Sequence, residues 1–173
     1  MIKVLFICLG NICRSPMAQF ILQDKVKKMG LENKFYIDSK ATSYEEFGNP
    51  PHNGTIKILE RYNIEVLPHK SDVIKKSDYS KFDFIIGMDK SNYFDILDIV
   101  GEDTDKKVFL LLDFIGCRKD ISDPWYTHNF QKTYDDINKG IDGFLNYLKK
   151  NKLVVWSWVS IFHMETGIIK DII

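Results

Sequence analysis

The stretch Val4-Leu-Phe-Ile-Cys-Leu-Gly-Asn-Ile-Cys-Arg-Ser-Pro-Met17 decides the fold that we expect for this chain. Its first half is an apolar run typical of a buried parallel strand, and it ends at Cys8. After five more residues a helix begins, with Ser15 suited to the N-cap and Pro16 to the first helical position. A strand that turns sharply into a helix leaves backbone N–H groups unpaired, and these attract anions. The stretch therefore predicts a phosphate-binding loop with Cys8 at its rim.

Strand-like and helix-like segments alternate along the rest of the chain. Besides a first strand at Lys3–Leu9, we predict strands at Phe35–Ser39, Phe82–Met88 and Val108–Phe114, and a brief one at Lys70–Ile74. Besides the helix that Gly30 ends, we predict helices at Thr55–Tyr62, at Asp89–Val100 and from about Gln131 to Lys150. This alternation indicates an α/β fold.

Size and composition limit the function classes. The chain has 173 residues, of which 45% are hydrophobic, which suits one domain with a buried core. The 24 basic and 24 acidic residues cancel, so no global charge favours nucleic acid or a membrane surface as a partner. No apolar run reaches the length of a membrane span. The odd count of three cysteines favours a reducing compartment, so we expect a cytoplasmic protein.

The loop contains the residue types that a nucleophilic thiolate needs. A helix N-terminus and a neighbouring arginine both favour the thiolate form, and Cys8 has both in the predicted fold. Arg14 offers a planar fork to two phosphate oxygens. Gly10 permits close backbone approach, and Asn11 tolerates a left-handed conformation. Ser15 is expected to hydrogen-bond the sulfur of Cys8 and make it a better leaving group.

A phosphoryl transfer of this kind also needs an acid for the leaving oxygen and later a base for water. Asp123 is the candidate, because it lies in the loop after the last strand, where ligand-side loops of such folds gather. Trp125 and Tyr126 follow it after Pro124, and two adjacent aromatic residues in a polar loop suit the walls of a pocket for an aryl ring. The four histidines lack metal-ligand spacing, so we expect neither a metal nor another cofactor.

Cys8-Leu-Gly-Asn-Ile-Cys-Arg-Ser-Pro16 and Asp123-Pro-Trp-Tyr126 together resemble the low-molecular-weight protein tyrosine phosphatase family, over residues 2–150. The resemblance implies a single doubly wound four-stranded parallel sheet with helices on both faces, in flavodoxin-like order. It also implies hydrolysis of phosphotyrosine or small aryl phosphates through a cysteinyl phosphate, without a metal, and with inorganic phosphate as product.

The resemblance also assigns roles to individual residues. Cys8 would be the nucleophile, Arg14 the phosphate ligand, and Asp123 the general acid and then the base. The residues implied to bind substrate are Leu9, Gly10, Asn11, Ile12, Cys13, Ser15, Trp125 and Tyr126, and Ser39 and His69 join Asn11 and Ser15 in bracing the loop. By the same resemblance Cys13 can form a reversible disulfide with Cys8 under oxidation. The alternative is that Cys13 is a small packing residue.

The sequence departs from the family in two places. Glu45 aligns where eukaryotic members often carry an aromatic residue, with Tyr44 and Phe47 as its neighbours. Family members usually end near Lys150, so we expect a phosphatase domain over 1–151 and an atypical hydrophobic tail over 152–173. The tail is either an added packing or interaction segment or the product of an altered reading frame.

Three alternatives compete with a tyrosine phosphatase. A phosphoarginine phosphatase shares the scaffold, but such members carry a small polar residue where Ile12 stands. An arsenate reductase needs further cysteines after the third strand, and none occurs between Cys13 and Cys117. A non-catalytic phosphopeptide binder would need neither Cys8 nor Asp123. Ile12 and the aromatic pair therefore favour phosphotyrosine, in a protein or a small aryl phosphate.

Overall fold

A four-stranded parallel sheet forms the centre of the computed structural model, which describes residues 1–154. The strands are β1 (Ile2–Cys8), β2 (Phe35–Ala41), β3 (Phe84–Gly87) and β4 (Val108–Leu110). Their spatial order is β2-β1-β3-β4, and every neighbouring pair is parallel. This confirms the α/β class and the flavodoxin-like order. Most of the hydrophobic tail, 155–173, lies outside the described residues, so the division of the chain at 151 stays a prediction.

Helices cover both faces of the sheet. They are α1 (Arg14–Lys28), α2 (Asn53–Arg61), α3 (Lys90–Val100), α4 (Pro124–Thr127) and α5 (Phe130–Lys150). In β1, Val4 and Phe6 join the core cluster formed with α1 and α5, and Leu5 and Ile7 join the cluster formed with α3. Side chains of a strand alternate between its faces, so the continuous apolar run reflects burial on both sides.

Three local predictions were wrong in detail. Helix α1 begins at Arg14, with Cys13 at the N-cap, because the hydroxyl of Ser15 bonds to other groups of the loop instead of capping. The strand predicted at 70–74 is reduced to one parallel bridge between Ala41 and Val73. Strand β4 stops at Leu110, where a 3₁₀ turn over Leu111–Ile115 begins.

The strand order creates a crevice at the carboxyl end of β1. From β1 the chain goes to β2 on one side, whereas β3 lies on the other side of β1, so the connections diverge at the carboxyl end of β1. In open parallel sheets ligands bind at this switch point. Cys8 is the last residue of β1 and lies at this point. Within residues 1–154 no helix is long and apolar enough to cross a membrane.

Candidate active site

The loop between β1 and α1 has its carbonyl groups held outward. Each carbonyl oxygen of residues 8–12 contacts a group outside the loop. The pairs are Cys8 O with Thr42 N (3.0 Å), Leu9 O with Ser43 N (3.0 Å), Gly10 O with Ser71 Oγ (2.9 Å), Asn11 O with His69 Nε2 (3.2 Å) and Ile12 O with His52 N (2.8 Å). The C=O and N–H of a trans peptide point in opposite directions, so the amides of residues 9–13 are directed to the inside of the loop. One of them, Asn11 N–H, donates to Cys8 Sγ over 3.3 Å. The loop is thus a cradle for an anion.

The sulfur of Cys8 lies buried at the centre of this cradle. Ser15 Oγ is 3.1 Å from Cys8 Sγ, and Ser15 N–H donates to the same sulfur over 3.5 Å. Because Ser15 Oγ already accepts a hydrogen bond from Asn11 Nδ2 at 2.8 Å, its own proton is available to the sulfur. The donors around Cys8 therefore suit a thiolate.

Asn11 holds the loop in its shape. Its backbone has φ 55°, in the left-handed region that asparagine tolerates better than most residues. Its buried amide donates to Ser15 Oγ and to Ser39 Oγ (2.9 Å), and its Oδ1 accepts from Asp72 N (3.2 Å). Ser39 Oγ in turn donates to Gln19 Oε1. This network fixes the orientation of the Ser15 hydroxyl towards Cys8.

Arg14 is almost fully buried, with 3% of its surface exposed. Its Nη1 contacts an oxygen of Asp89 and the carbonyl of Ile121 (3.1 Å), and its Nη2 contacts Asp123 Oδ2 at 2.8 Å. Burial opposes the charge, but Cys8, Asp123 and Asp89 together raise the pKa of the Arg14 guanidinium above its usual value. Its buried Nε has no acceptor in the part of the chain that the structure describes. Arg14 is thus a fixed cation whose Nε–H is free to donate to a ligand.

Asp123 is the N-cap of the short helix α4. Its Oδ1 accepts from Trp125 N at 3.0 Å while Oδ2 pairs with Arg14, so both oxygens are oriented. Pro124 at the first helical position stiffens this turn. The helix leaves Trp125 and Tyr126 exposed over 50% and 72% of their surface, at the mouth of the site. The polar loop that the sequence predicted here is therefore helical over four residues.

One cleft collects most of the residues that the sequence predicted for the site. It is lined by Cys8, Leu9, Gly10, Ile12, Cys13, Arg14, Glu45, Glu46, Asp123, Trp125 and Tyr126. Asn11, Ser15, Ser39 and His69 lie behind it, in contact with the loop. Glu45, which aligns where eukaryotic family members often carry an aromatic residue, lines this cleft together with Glu46. The exposed rings of Tyr44 and Phe47 pack on each other, 6.0 Å apart, outside the lining.

The family model for low molecular weight phosphotyrosine protein phosphatases matches residues 3–154 of this chain. The chain belongs to this family. The low molecular weight protein-tyrosine-phosphatase YfkJ of Bacillus subtilis is 39% identical over 154 residues, which cover 88% of this chain and 99% of that protein. These findings confirm the family and the phosphatase class that the two motifs predicted.

Three solved structures have a fold similar to that of this chain. The crystal structure of Bacillus subtilis YfkJ matches with a TM-score of 0.84 over 88% of this chain and 97% of that one, at 39% identity. SP-PTP, a low molecular weight protein tyrosine phosphatase from Streptococcus pyogenes, matches at 0.77 and 40% identity, over 86% and 93% of the two chains. DARP, a drosophila arginine phosphatase, matches at 0.78 and 31% identity, over 86% and 98%.

Cys13 differs from Cys8 in its surroundings within the phosphatase. Burial, followed by the negative charges of Cys8 and Asp123, raises the pKa of the Cys13 thiol to about 12. Cys13 therefore stays a protonated thiol at neutral pH and is the weaker nucleophile of the two. Both cysteines line the cleft and both are free thiols in the structure. The regulatory disulfide between them stays a prediction.

Sequence reasoning missed several residues that shape the site. Asp89 was predicted only as the start of a helix; it is the N-cap of α3 and also binds Arg14. Ser71 and the backbone of His52 hold carbonyls of the loop, and Gln19 supports Ser39. A signal existed for Asp89, because it follows β3, the strand beside β1 at the switch point. Within residues 1–154 no group of three His, Cys, Asp or Glu side chains is arranged to hold a metal ion.

The support of the phosphate loop by His69 predicts a pH-dependent stability. Burial lowers the pKa of the His69 imidazole below 6.5, against the opposing effects of the Asn11 carbonyl and Asp38. The unfolded chain therefore binds this proton more readily than the folded chain. We expect the contribution of His69 to be complete above pH 6.5 and to be lost as the pH falls below it.

Urea unfolding of the parent at about pH 7 and about pH 5 measures this loss. His69→Asn is expected to lose less free energy of unfolding between the two pH values than the parent does. The matched control is His128→Asn, because His128 is an exposed histidine at the end of α4. An equal pH dependence in the parent and in His69→Asn would contradict this role of His69.

Proposed function

We propose that this phosphatase hydrolyses phosphotyrosine in two steps, with Cys8 as nucleophile, Arg14 as phosphate ligand and Asp123 as general acid and base. The observation that carries the proposal is the meeting of these three side chains in one cleft, over a loop whose amides are directed inward. A site for phosphate binding alone would need the loop and Arg14, but not a thiol at the centre with a carboxyl group beside it.

In the first step, Cys8 Sγ attacks phosphorus, the S–P bond forms, and the bond from phosphorus to the phenolic oxygen breaks. Asp123 gives its proton to that oxygen, so that tyrosine leaves as a neutral phenol. The loop amides and Arg14 donate to the three equatorial oxygens, where charge is spread in the transition state. The free Nε of Arg14 supports this role, since a buried donor without a protein partner suits a ligand oxygen.

In the second step, water attacks the phosphoryl group, Asp123 accepts the water proton, and the S–P bond breaks to release inorganic phosphate. The leaving group is now the Cys8 thiolate. The Ser15 hydroxyl, aligned by Asn11, donates to that sulfur and stabilises the charge that returns to it. These steps need protein groups and water only, and we expect metal chelators to leave the rate unchanged. The free thiol nucleophile fits the cytoplasm, where we place the enzyme.

The proposed substrate class rests on the walls of the cleft. Trp125 and Tyr126 offer ring faces to a phenyl group, and Ile12 places an apolar side chain beside them. The match to an arginine phosphatase means that the fold by itself does not choose between phosphotyrosine and phosphoarginine. A guanidinium group next to phosphate needs polar partners, and Ile12 offers none.

Hydrolysis of a phosphotyrosine peptide and of a phosphoarginine peptide tests the proposal. We expect the parent to prefer phosphotyrosine in kcat/KM, and Ile12→Ser to reduce that preference by about tenfold, the effect of removing a few buried methylene groups. Ile115→Ser is the matched control, because Ile115 does not line the cleft. A parent that hydrolyses phosphoarginine faster would overturn the substrate class, and a parent that hydrolyses neither would overturn the function.

A further inference from the structure

We propose that Glu45 selects phosphotyrosine sites that have a lysine or arginine next to the phosphotyrosine, an inference that rests on the function proposed above. The first observation is the charge at the mouth of the cleft. Its lining contains three carboxylates, Glu45, Glu46 and Asp123, and one cation, Arg14. Arg14 is buried and already pairs with Asp123 and Asp89. The outer part of the cleft therefore has an excess of negative charge, although the bound group is an anion.

Glu45 and Glu46 differ in whether their carboxylates already have a partner within the protein. Glu46 accepts a hydrogen bond from Asn49 at 2.7 Å, and its Cγ would lie 3.1 Å from a Cβ placed on Gly10, so it packs on the loop. Glu45 is exposed, and within residues 1–154 its backbone N–H donates to Ser43 Oγ while its carboxylate has no ion pair or hydrogen bond. An exposed carboxylate at a binding cleft without a protein partner is available to a charge on the substrate.

The position of the substrate in the cleft determines which of its residues lie near Glu45. With the phosphate at the loop and the ring between the aromatic walls, the residues beside phosphotyrosine remain at the mouth. There Glu45 lines the opening together with Trp125 and Tyr126, whose rings are half or more exposed. A lysine or arginine at this place pairs with the carboxylate and lies against a ring face. An acidic neighbour is repelled by Glu45 and finds no accessible cation in the lining.

Peptides that differ in one residue test this inference. Three phosphotyrosine peptides with lysine, alanine or glutamate directly after phosphotyrosine are compared by kcat/KM, beside phenyl phosphate. We expect the parent to favour the lysine peptide over the glutamate peptide about fivefold, and added salt to reduce the ratio. Glu45→Gln brings the ratio close to one, and Glu45→Lys inverts it. The control Glu32→Gln removes the same charge just before the amino end of β2, whereas Glu45 follows the carboxyl end of that strand, and keeps the parent ratio.

The outcomes separate this inference from the proposed function. A parent that fails on phenyl phosphate and on all three peptides contradicts the phosphatase function itself. A parent that hydrolyses them with equal kcat/KM for the lysine and glutamate peptides contradicts only the preference. A preference that Glu45→Gln leaves unchanged contradicts the assignment to Glu45.

An independent observation points to Ser71 as a positioning residue for the phosphate loop. Ser71 Oγ donates to Gly10 O at 2.9 Å, and the same peptide unit carries the Asn11 N–H that donates to Cys8 Sγ. Holding the carbonyl outward therefore holds this N–H towards the sulfur and the phosphate. The backbone of Ser71 is fixed separately, by hydrogen bonds to Asn49 O and from Gly48 N, both 2.8 Å.

Because the backbone bonds remain, Ser71→Ala removes the hydroxyl alone. We expect the inhibition constant of inorganic phosphate to rise about three- to tenfold, the effect of one hydrogen bond, in a variant that stays folded. Ser71→Thr restores phosphate binding, and Ser77→Ala, an exposed serine of the next turn, has no effect. An unchanged phosphate constant in folded Ser71→Ala would overturn the role. So would a folded threonine variant that binds phosphate as weakly as the alanine variant.

Discussion

Replacing Cys8 by serine is expected to reduce the hydrolysis of aryl phosphates by about 10⁴-fold or more, which is the scale for loss of a covalent nucleophile. A serine hydroxyl in this place has hydrogen-bond donors around it but no base that would remove its proton. Ser15 and the Asn11 amide both donate to the position of the sulfur. The surroundings that suit a thiolate therefore leave an alcohol inactive.

The Cys8→Ser variant is expected to keep its phosphate site. The loop amides and Arg14 are unchanged, so inorganic phosphate protects the variant against thermal unfolding about as well as it protects the parent. Acid quenching during turnover traps a phosphoryl group on Cys8 in the parent, located by peptide mass spectrometry, and traps none in the variant. This measurement tests the intermediate directly and does not depend on the rate.

Cys117→Ser is the matched control for this experiment. Cys117 is a free thiol that does not line the cleft, so its loss is expected to leave both the rate and the trapped intermediate unchanged. A Cys8→Ser variant with a rate near that of the parent would contradict the mechanism. A phosphoryl group trapped on Cys13 would contradict it as well, and the raised pKa of the Cys13 thiol argues against that outcome.

The central part of the fold could be predicted because its signals are local. The apolar run of β1 indicates burial on both faces, and only five residues separate the end of this strand from the start of α1 at Arg14. Arg14 and Cys8 then meet through local chain geometry. Asp123 could be predicted only through its motif, because its contact with Arg14 spans 109 residues.

The support of the loop by Ser71 could not be predicted, for the opposite reason. Ser71 lies far from the loop in sequence, and its neighbours do not differ from those of an ordinary turn. Its role depends on which segments the tertiary fold brings to the switch point. For Ser15 the local signal gave the wrong prediction. Its sequence pattern predicted an N-cap, but its hydroxyl contacts Cys8 and Asn11 instead.

Replacing Asp123 by asparagine is expected to slow phosphotyrosine hydrolysis by about 10²- to 10⁴-fold, the usual contribution of a general acid. Asparagine is preferable to alanine here, because its amide oxygen still accepts from Trp125 N and keeps the cap of α4. The variant loses the transferable proton, and it also loses the ion pair that Asp123 Oδ2 forms with Arg14 Nη2.

The leaving group distinguishes loss of the acid from loss of structure. Nitrophenolate leaves without a proton far more easily than the phenolate of tyrosine, so Asp123→Asn is expected to slow p-nitrophenyl phosphate much less than phenyl phosphate. A damaged cleft would slow both substrates equally. Asp113→Asn is the matched control, an aspartate that also accepts from a backbone N–H, of Leu110, but lies outside the cleft lining. Equal losses on both substrates would reject Asp123 as the acid, because only proton donation to the leaving oxygen makes the loss depend on the basicity of that oxygen.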